Sequence, residues 1–394
     1  MITSTQQQIV TKDLTWIKES RQSAIELEYS TLPLYLSAMF SLEVQNYTAY
    51  NTIRSVAMEE MVHMAIACNM LSALGGSPQL KTMNIPFPTQ GLPGGAEPDL
   101  FIGLARFSKK QLKNFMRIEI PEFLLKEKNL PEEYPTIANF YNSIREAIIE
   151  NSEAVEAAAK ETAERLKNNL PPNQVGDDIG FSTFNFKDGD YPVQMLCAGI
   201  DEILEQGEGA STQELITSNL YESEESHYAK FASLYYGAAY QKPEPLVELT
   251  SENESDFFKG MPIGWPEVVN TLAVPADGYA KILALDPNAQ AVSVDLNAFD
   301  TGFSTMLDAL DTAWNGSSAT SWKTLGGAVH GMVDLRVLSC FNILRHQIPE
   351  DIVAKLPLLY PDEIDFISSY SDLSKPVFYG PRFRNTNNGI KTSN

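Results

Sequence analysis

The residues of this sequence best suited to chemistry are Glu60 and His63, in the stretch Glu59-Glu60-Met61-Val62-His63. Residues three apart lie on one face of an α-helix, so both side chains can reach the same point. A carboxylate oxygen and an imidazole nitrogen that meet at one point make half of a transition-metal site. Both residues fall on or beside the apolar face of a helix predicted over residues 51–74, where an ionised carboxylate is rare unless it is paired or binds a metal.

The same spacing occurs a second time, at Glu224 and His227, and the two pairs use two of the four histidines in the chain. In carboxylate-bridged dimetal bundles, two helices each supply a glutamate and two supply Glu-x-x-His, all directed into the bundle core. This pattern requires two further glutamates. We therefore expect Glu60, His63, Glu224 and His227 to form the catalytic centre.

Glu28 is the candidate for the first additional glutamate. Apolar residues recur at helical spacing over residues 10–44, with a kink expected at Pro33, and Glu28 shares its face with Ile25 and Leu32. A turn near Asn46 would make this helix antiparallel to the next and bring Glu28 level with Glu60. The alternative is an ion pair of Glu28 with an arginine, Arg21 or Arg54.

Glu208 is the candidate for the second, ahead of Glu119 and Glu205. It continues the apolar face of a helix predicted over residues 191–207, and Gly207 and Gly209 suit a helix end. The next helix should open near Ser218, which would place Glu208 and Glu224 at one level. The alternative is an exposed acid in a turn.

Glu119 is a further candidate ligand. It follows Leu112 and Phe115 on the inner face of a helix that Ser108 can cap. It is predicted to be a metal ligand, a residue that supports a ligand, or a buried carboxylate bonded to the backbone or to Arg117.

Composition restricts the class of protein. The chain has 394 residues, 43% of them apolar, and a net charge of −22 that disfavours nucleic acid or an anionic membrane as partner. The chain has no run of 18 apolar residues and no secretory signal pattern at its start, and its three cysteines are widely spaced. We expect a cytoplasmic protein with reduced cysteines.

The pattern along the chain predicts a mainly α fold in two parts. Residues 1–245 should form a ferritin-like four-helix dimetal bundle, and residues 246–394 a helical region packed on it. A Pro- and Gly-rich loop over residues 77–107 interrupts the bundle and is a candidate lid. One long helix is expected over residues 136–169, with short strands around residues 181–186.

Five stretches together resemble the ferritin-like domain of the iminophenyl-pyruvate dimer synthase family, which includes enzymes of the violacein and rebeccamycin pathways. They are Ala24–Pro33, Glu59–His63 with Asn69–Pro78, Phe115–Glu122, Gln206–Gly209 and His227–Phe231. The resemblance covers about residues 10–240. The pathway synthases are far longer chains, so this chain would be a short stand-alone relative of them.

This resemblance implies a non-haem dimetal oxidoreductase in specialised metabolism. Two iron ions, with manganese as the alternative, would be bridged by Glu60 and Glu224, each held by one histidine, and completed by Glu28 and Glu208. The partners would be dioxygen or peroxide and a small organic substrate, such as an aromatic amino acid or its imine. The oligomeric state stays open.

Two other hypotheses remain from the sequence. The first is a ferroxidase or peroxide-scavenging protein without an organic substrate. The second is a ligand-binding or scaffold protein in which both Glu-x-x-His pairs have lost their role.

Overall fold

The computed structural model describes residues 11–387, except residues 44–46, 122–123, 125–134, 169, 177–181, 209–224, 244–246, 248 and 318–320. Most of the described chain is helical, and one pair of short strands accompanies the helices.

Two long helices form the centre of the fold. α1 (Leu14–Phe40) begins after Asp13, whose side chain accepts a hydrogen bond from the Trp16 amide, and it contains Pro33. Nearly every residue of its second half is buried, as expected of a helix inside a bundle. α2 (Tyr47–Ala73) packs along α1 and ends before Gly75, whose φ of +79° is a helix-terminating conformation that glycine adopts freely.

The Pro- and Gly-rich segment after α2 contains two short antiparallel strands, β1 (Thr89–Gln90) and β2 (Phe101–Ile102). Glu97, between them, is fully buried and accepts a hydrogen bond from Arg117 at 2.6 Å. α3 (Lys109–Ile118) follows, and its predicted cap is confirmed, because the Ser108 hydroxyl accepts from the Gln111 amide.

Four further helices complete the bundle: α4 (Ile137–Glu150), α5 (Ser152–Lys167), α6 (Pro192–Glu208) and α7 (His227–Tyr236). α1, α2, α6 and α4 contact one another in a closed ring, while α7 lies against α2, α3 and α6. Glu28, Glu60 and His63 lie on α1 and α2 of this ring, and His227 lies on α7.

Three predicted boundaries differ from the structure. The single helix expected over residues 136–169 is wrong, because Asn151 leaves helical geometry and donates from its side chain to the carbonyls of Lys12 and Ala147. Residues 182–186 form no strand, and residue 181 lies outside the described part. The helix that carries His227 begins at that residue rather than near Ser218, since Ser226 is extended and caps it.

Further helices follow in the C-terminal region, and some of its residues contact α1 and α2. Its helices are α8 (Ala280–Leu283), α9 (Ala289–Asn315), α10 (Ser321–Phe341), α11 (Glu350–Val353), α12 (Leu356–Leu359) and α13 (Ile364–Tyr370). Trp314 of α9 donates from its indole N–H to Asn69 of α2 at 2.9 Å. The Phe383 ring stacks on Phe40 of α1, with ring centroids 6.3 Å apart.

Among the described residues, no helix is both long and apolar enough to cross a membrane. Cys68, Cys197 and Cys340 are free thiols.

Candidate metal centre

The central helix pair brings together the three candidate ligands that it carries. Nδ1 of His63 lies 3.7 Å from Oε2 of Glu28 and 3.7 Å from Oε2 of Glu60. All three side chains are buried, at 2% to 3% exposure. The expected antiparallel pairing of α1 and α2 thus places Glu28 level with Glu60 and His63.

His227 approaches the same point from the first position of α7. Its Nδ1 lies 2.9 Å from Oε1 of Glu60 and 3.5 Å from Oε2 of Glu119. The imidazole rings of His63 and His227 stack with their centroids 5.3 Å apart. One ligand atom each from Glu60, His63 and His227 lies within 4.8 Å of the others.

Glu119 sits at the C-terminal end of α3 and is buried beside His227. Its carboxylate accepts a hydrogen bond from the hydroxyl of Tyr35. The Nε of Arg117 donates to Glu97, so the alternative pairing of Glu119 with Arg117 is not what the structure shows.

Glu28 likewise is bonded by a tyrosine, because the Tyr141 hydroxyl donates to its carboxylate. Arg21, one of its alternative partners, is fully buried, and its guanidinium nitrogens have no hydrogen-bond partner among the described residues. Arg54 is exposed on α2.

Two predicted ligands cannot be placed at the centre. Glu224 lies outside the described residues. Glu208 is the last residue of α6, but its side chain is outside the described part. The roles assigned to both residues therefore stay predictions.

Both imidazoles also form a hydrogen bond through Nε2, on the side away from Glu28, Glu60 and Glu119. Nε2 of His63 pairs with Oε1 of Gln206 at 2.8 Å, and Nε2 of His227 pairs with Oε2 of Glu59 at 2.8 Å. The ammonium of Lys230 in turn donates to both oxygens of Glu59, at 2.7 and 2.8 Å. With Nε2 as the donor, each Nδ1 is left to face the buried carboxylates.

Burial and charge shift the proton affinities in this cluster strongly. Burial raises the pKa of Glu28 to about 7, and burial with repulsion from Glu60 also raises the pKa of Glu119. For Glu60, burial acts upward, but His227 and His63 outweigh it and lower the pKa.

The two imidazoles show the opposite balance, because burial alone would lower their pKa values. Contacts with Glu28 and Glu60 outweigh burial and raise the pKa of His63 to about 10. Contacts with Glu119 and Glu59 raise the pKa of His227 well above its usual range. The charge of the buried carboxylates can thus be balanced by protons on the imidazoles, by protons on Glu28 and Glu119 themselves, or by bound cations.

The donor set fits divalent metal ions. Nδ1 of His227 is buried between two carboxylates, and within the described part of the chain it forms no hydrogen bond of acceptable geometry. Imidazole nitrogen with carboxylate oxygen, and no thiolate, is the ligand chemistry of iron or manganese. Glu28, Glu60, His63, Glu119 and His227 are the described residues that could hold such ions.

The family model described as Ferritin-like matches residues 22–236 of the chain, which is more than half of its length. The chain belongs to the ferritin-like family. The match spans every residue of the described cluster, from Glu28 to His227.

Comparison with solved structures shows similarity to a ferritin-like protein from Caulobacter vibrioides, at 20% sequence identity and a TM-score of 0.47. The alignment covers 81% of this chain and 95% of that one. The comparison with curated proteins finds no match.

A cavity of about 20 Å³ adjoins the centre of this ferritin-like bundle. Its polar wall contains Glu28, Glu60, His63 and Glu119, and its remaining lining is mostly apolar: Thr31, Ile118, Ile137, Ile203, Leu204 and Gly207. A volume of this size accommodates about one water-sized molecule. Residues 77–107, the candidate lid, contribute none of this lining, so their role as a lid stays a prediction.

Sequence reasoning assigned no role to Glu59, Gln206, Tyr35, Tyr141 or Lys230. A signal existed for Tyr35, which lies two turns after Glu28 on the same helix face. Glu59 directly precedes a candidate ligand, but its contact with His227 crosses between helices. Spacing within one helix gives no sign of such a contact.

Proposed function

We propose that this ferritin-like protein is a non-haem dimetal oxidoreductase that uses dioxygen or peroxide on a small organic substrate. The observation that supports this most directly is the convergence of two imidazole Nδ1 atoms on three buried carboxylates. Iron, when bound there, would supply the redox chemistry that these side chains cannot supply themselves.

Other residues of the chain would orient the metal ligands and limit the access of water to the centre. Tyr141 and Tyr35 fix the orientation of Glu28 and Glu119 through hydrogen bonds. Ile137, Ile203 and Leu204 cover the polar wall with apolar surface, which limits the access of water to the centre.

The finer assignment rests on the resemblance to the iminophenyl-pyruvate dimer synthase family. On that basis the substrate would be an aromatic amino acid or its imine, and the reaction an oxidation in specialised metabolism. Two iron ions are the proposed cofactor, with manganese as the alternative, and Glu208 and Glu224 are proposed to complete the ligand set.

A second candidate is a ferroxidase or peroxide-scavenging protein without an organic substrate. The size of the cavity favours it, because about 20 Å³ admits a small oxidant but not an aromatic amino acid in the described arrangement.

One experiment separates the two functions. The protein is loaded anaerobically with ferrous iron and exposed to oxygen, with and without added aromatic amines or indoles. Oxygen consumption that depends on the organic compound supports the oxidoreductase, whereas consumption that follows iron alone supports the ferroxidase. The absence of any iron-dependent absorption change would reject both.

The contribution of each histidine can be tested by metal analysis. His63→Ala and His227→Ala should each lower bound iron from about two ions per chain to about one. His330→Ala is the matched control, since His330 is exposed on α10, and it should leave the metal content unchanged. Unchanged iron in both of the first two variants would rule these histidines out as ligands.

A further inference from the structure

We infer that the two metal positions are inequivalent: the ion at His227 is held more tightly, and the ion at His63 is the exchangeable one that faces the cavity. This inference rests on the dimetal centre proposed above. It assigns positioning roles to Glu59, Lys230 and Gln206, which touch the histidines or each other rather than the reacting atoms.

The hydrogen bond of His227 through Nε2, on the side of the ring opposite the metal position, is made to a charged group. Nε2 of His227 lies 2.8 Å from a carboxylate oxygen of Glu59. Lys230, which is 9% exposed, binds both oxygens of that carboxylate and fixes its position. A carboxylate acceptor increases the electron density on the imidazole and so strengthens Nδ1 as a ligand.

The corresponding hydrogen bond of His63 through Nε2 is made to a neutral group. Nε2 of His63 lies 2.8 Å from the side-chain carbonyl of Gln206, on the last turn of α6. This distance equals that of the Glu59 contact, so the difference between the two bonds lies in the charge of the acceptor. An amide oxygen is a weaker acceptor than a carboxylate, and Nδ1 of His63 should be the weaker ligand.

The cavity is a second difference between the two metal positions, and it also indicates that the ion at His63 is the exchangeable one. The imidazole of His63 lines it together with Glu28, Glu60 and Glu119, whereas the imidazole of His227 does not. A small molecule in the cavity therefore contacts the imidazole of the weaker position and not that of the tighter one.

Stepwise anaerobic titration with cobalt(II), followed by calorimetry and by the visible spectrum, tests the inference without any turnover. The wild-type protein should bind two ions in distinguishable steps. His63→Ala, which keeps the His227 position, should bind its remaining ion about tenfold or more tightly than His227→Ala binds its own. Equal affinities, or the reverse order, would overturn the inference.

Two near-isosteric changes test the cause of the difference. Glu59→Gln should weaken the tight step by about tenfold and leave the weak step in place, whereas Gln206→Glu should strengthen the weak step. Glu26→Gln removes the same charge from a partly exposed site on α1 and should change neither step. A lower affinity at the weak step in the Glu59→Gln variant would contradict the assignment of Glu59 to the tight position.

The outcomes also separate this inference from the proposed function. A wild-type protein that binds no cobalt rejects the dimetal centre itself. A wild-type protein that binds two ions of equal affinity leaves the centre standing and rejects only the inequivalence. If an alanine variant fails to fold, as judged by circular dichroism, the Glu59→Gln and Gln206→Glu pair decides the question alone.

Discussion

At the scale of single residues, the groups that surround a buried carboxylate determine its role. Glu28 and Glu119 each accept a hydrogen bond from a tyrosine hydroxyl and lie near an imidazole. Among the described residues, Arg117 pairs with Glu97, and the guanidinium of Arg21 forms no hydrogen bond. Glu28 and Glu119 are therefore each available to a cation.

Helical spacing is enough to place Glu28, Glu60 and His63 on the buried faces of their helices, because long apolar faces fix which side of α1 and α2 is buried. It did not reveal Glu59 or Gln206 as partners of the histidines. Those contacts depend on the distance between helices, which no single helix encodes.

The first prediction concerns Glu119. Glu119→Gln should lower the affinity for the first metal ion by about tenfold or more, because it removes a charged oxygen beside Nδ1 of His227. Tyr35→Phe removes only the hydrogen bond to that carboxylate and should have a smaller effect. Calorimetry under anaerobic conditions measures both.

Glu208→Gln belongs in the same series, because the sequence favoured Glu208 over Glu119 as the ligand. A larger loss of affinity for Glu208→Gln than for Glu119→Gln would make Glu208 the ligand and leave Glu119 as a supporting residue.

At the scale of elements, the long helices were predictable and their interruptions were not. α1 and α2 carry periodic apolar residues over many turns, so few alternatives compete. The break at Asn151 and the start at His227 depend on single side-chain hydrogen bonds that compete with helix geometry. An uninterrupted periodic pattern gives no sign of them.

The second prediction concerns Asn69, which connects α2 to neighbouring segments through hydrogen bonds. Its buried side chain donates to the carbonyls of Val175 and Ser182 and accepts from the indole of Trp314. Asn69→Ala should cost about 2–4 kcal/mol of unfolding free energy, since it leaves buried polar groups unpaired. Chemical denaturation measures this cost.

Asn51→Ala is the control for this prediction, because Asn51 is exposed on the same helix. It should change stability by no more than about 0.5 kcal/mol. Equal effects of the two substitutions would show that the Asn69 network contributes nothing specific.

At the scale of the whole molecule, residues of the C-terminal region contact α1 and α2, the helices that carry Glu28, Glu60 and His63. Phe383 packs against Phe40 of α1 and against Phe299 and Phe303 of α9, with ring centroids 4.9 to 6.3 Å apart. Aromatic contacts of this kind join residues far apart in sequence. Composition predicts a division of the chain into two parts at residue 245, but it does not show which surfaces of the two parts pack together.

The third prediction follows from this packing. Phe383→Ala should destabilise the protein by about 3–5 kcal/mol, while Phe341→Ala, at a ring that is 62% exposed, should cost no more than about 0.5 kcal/mol. If the two regions unfold together, circular dichroism and the cobalt spectrum should show one shared transition. Loss of the cobalt signal at an unchanged temperature in Phe383→Ala would mean that the bundle is stable without the C-terminal contacts.

The central claim is that two buried histidines and their neighbouring glutamates hold a pair of metal ions. The most direct test is an anomalous difference map from crystals grown with ferrous iron or manganese. We predict two peaks, one beside Nδ1 of His63 and one beside Nδ1 of His227. A map without a peak at either nitrogen, from crystals in which both rings are ordered, would contradict the claim.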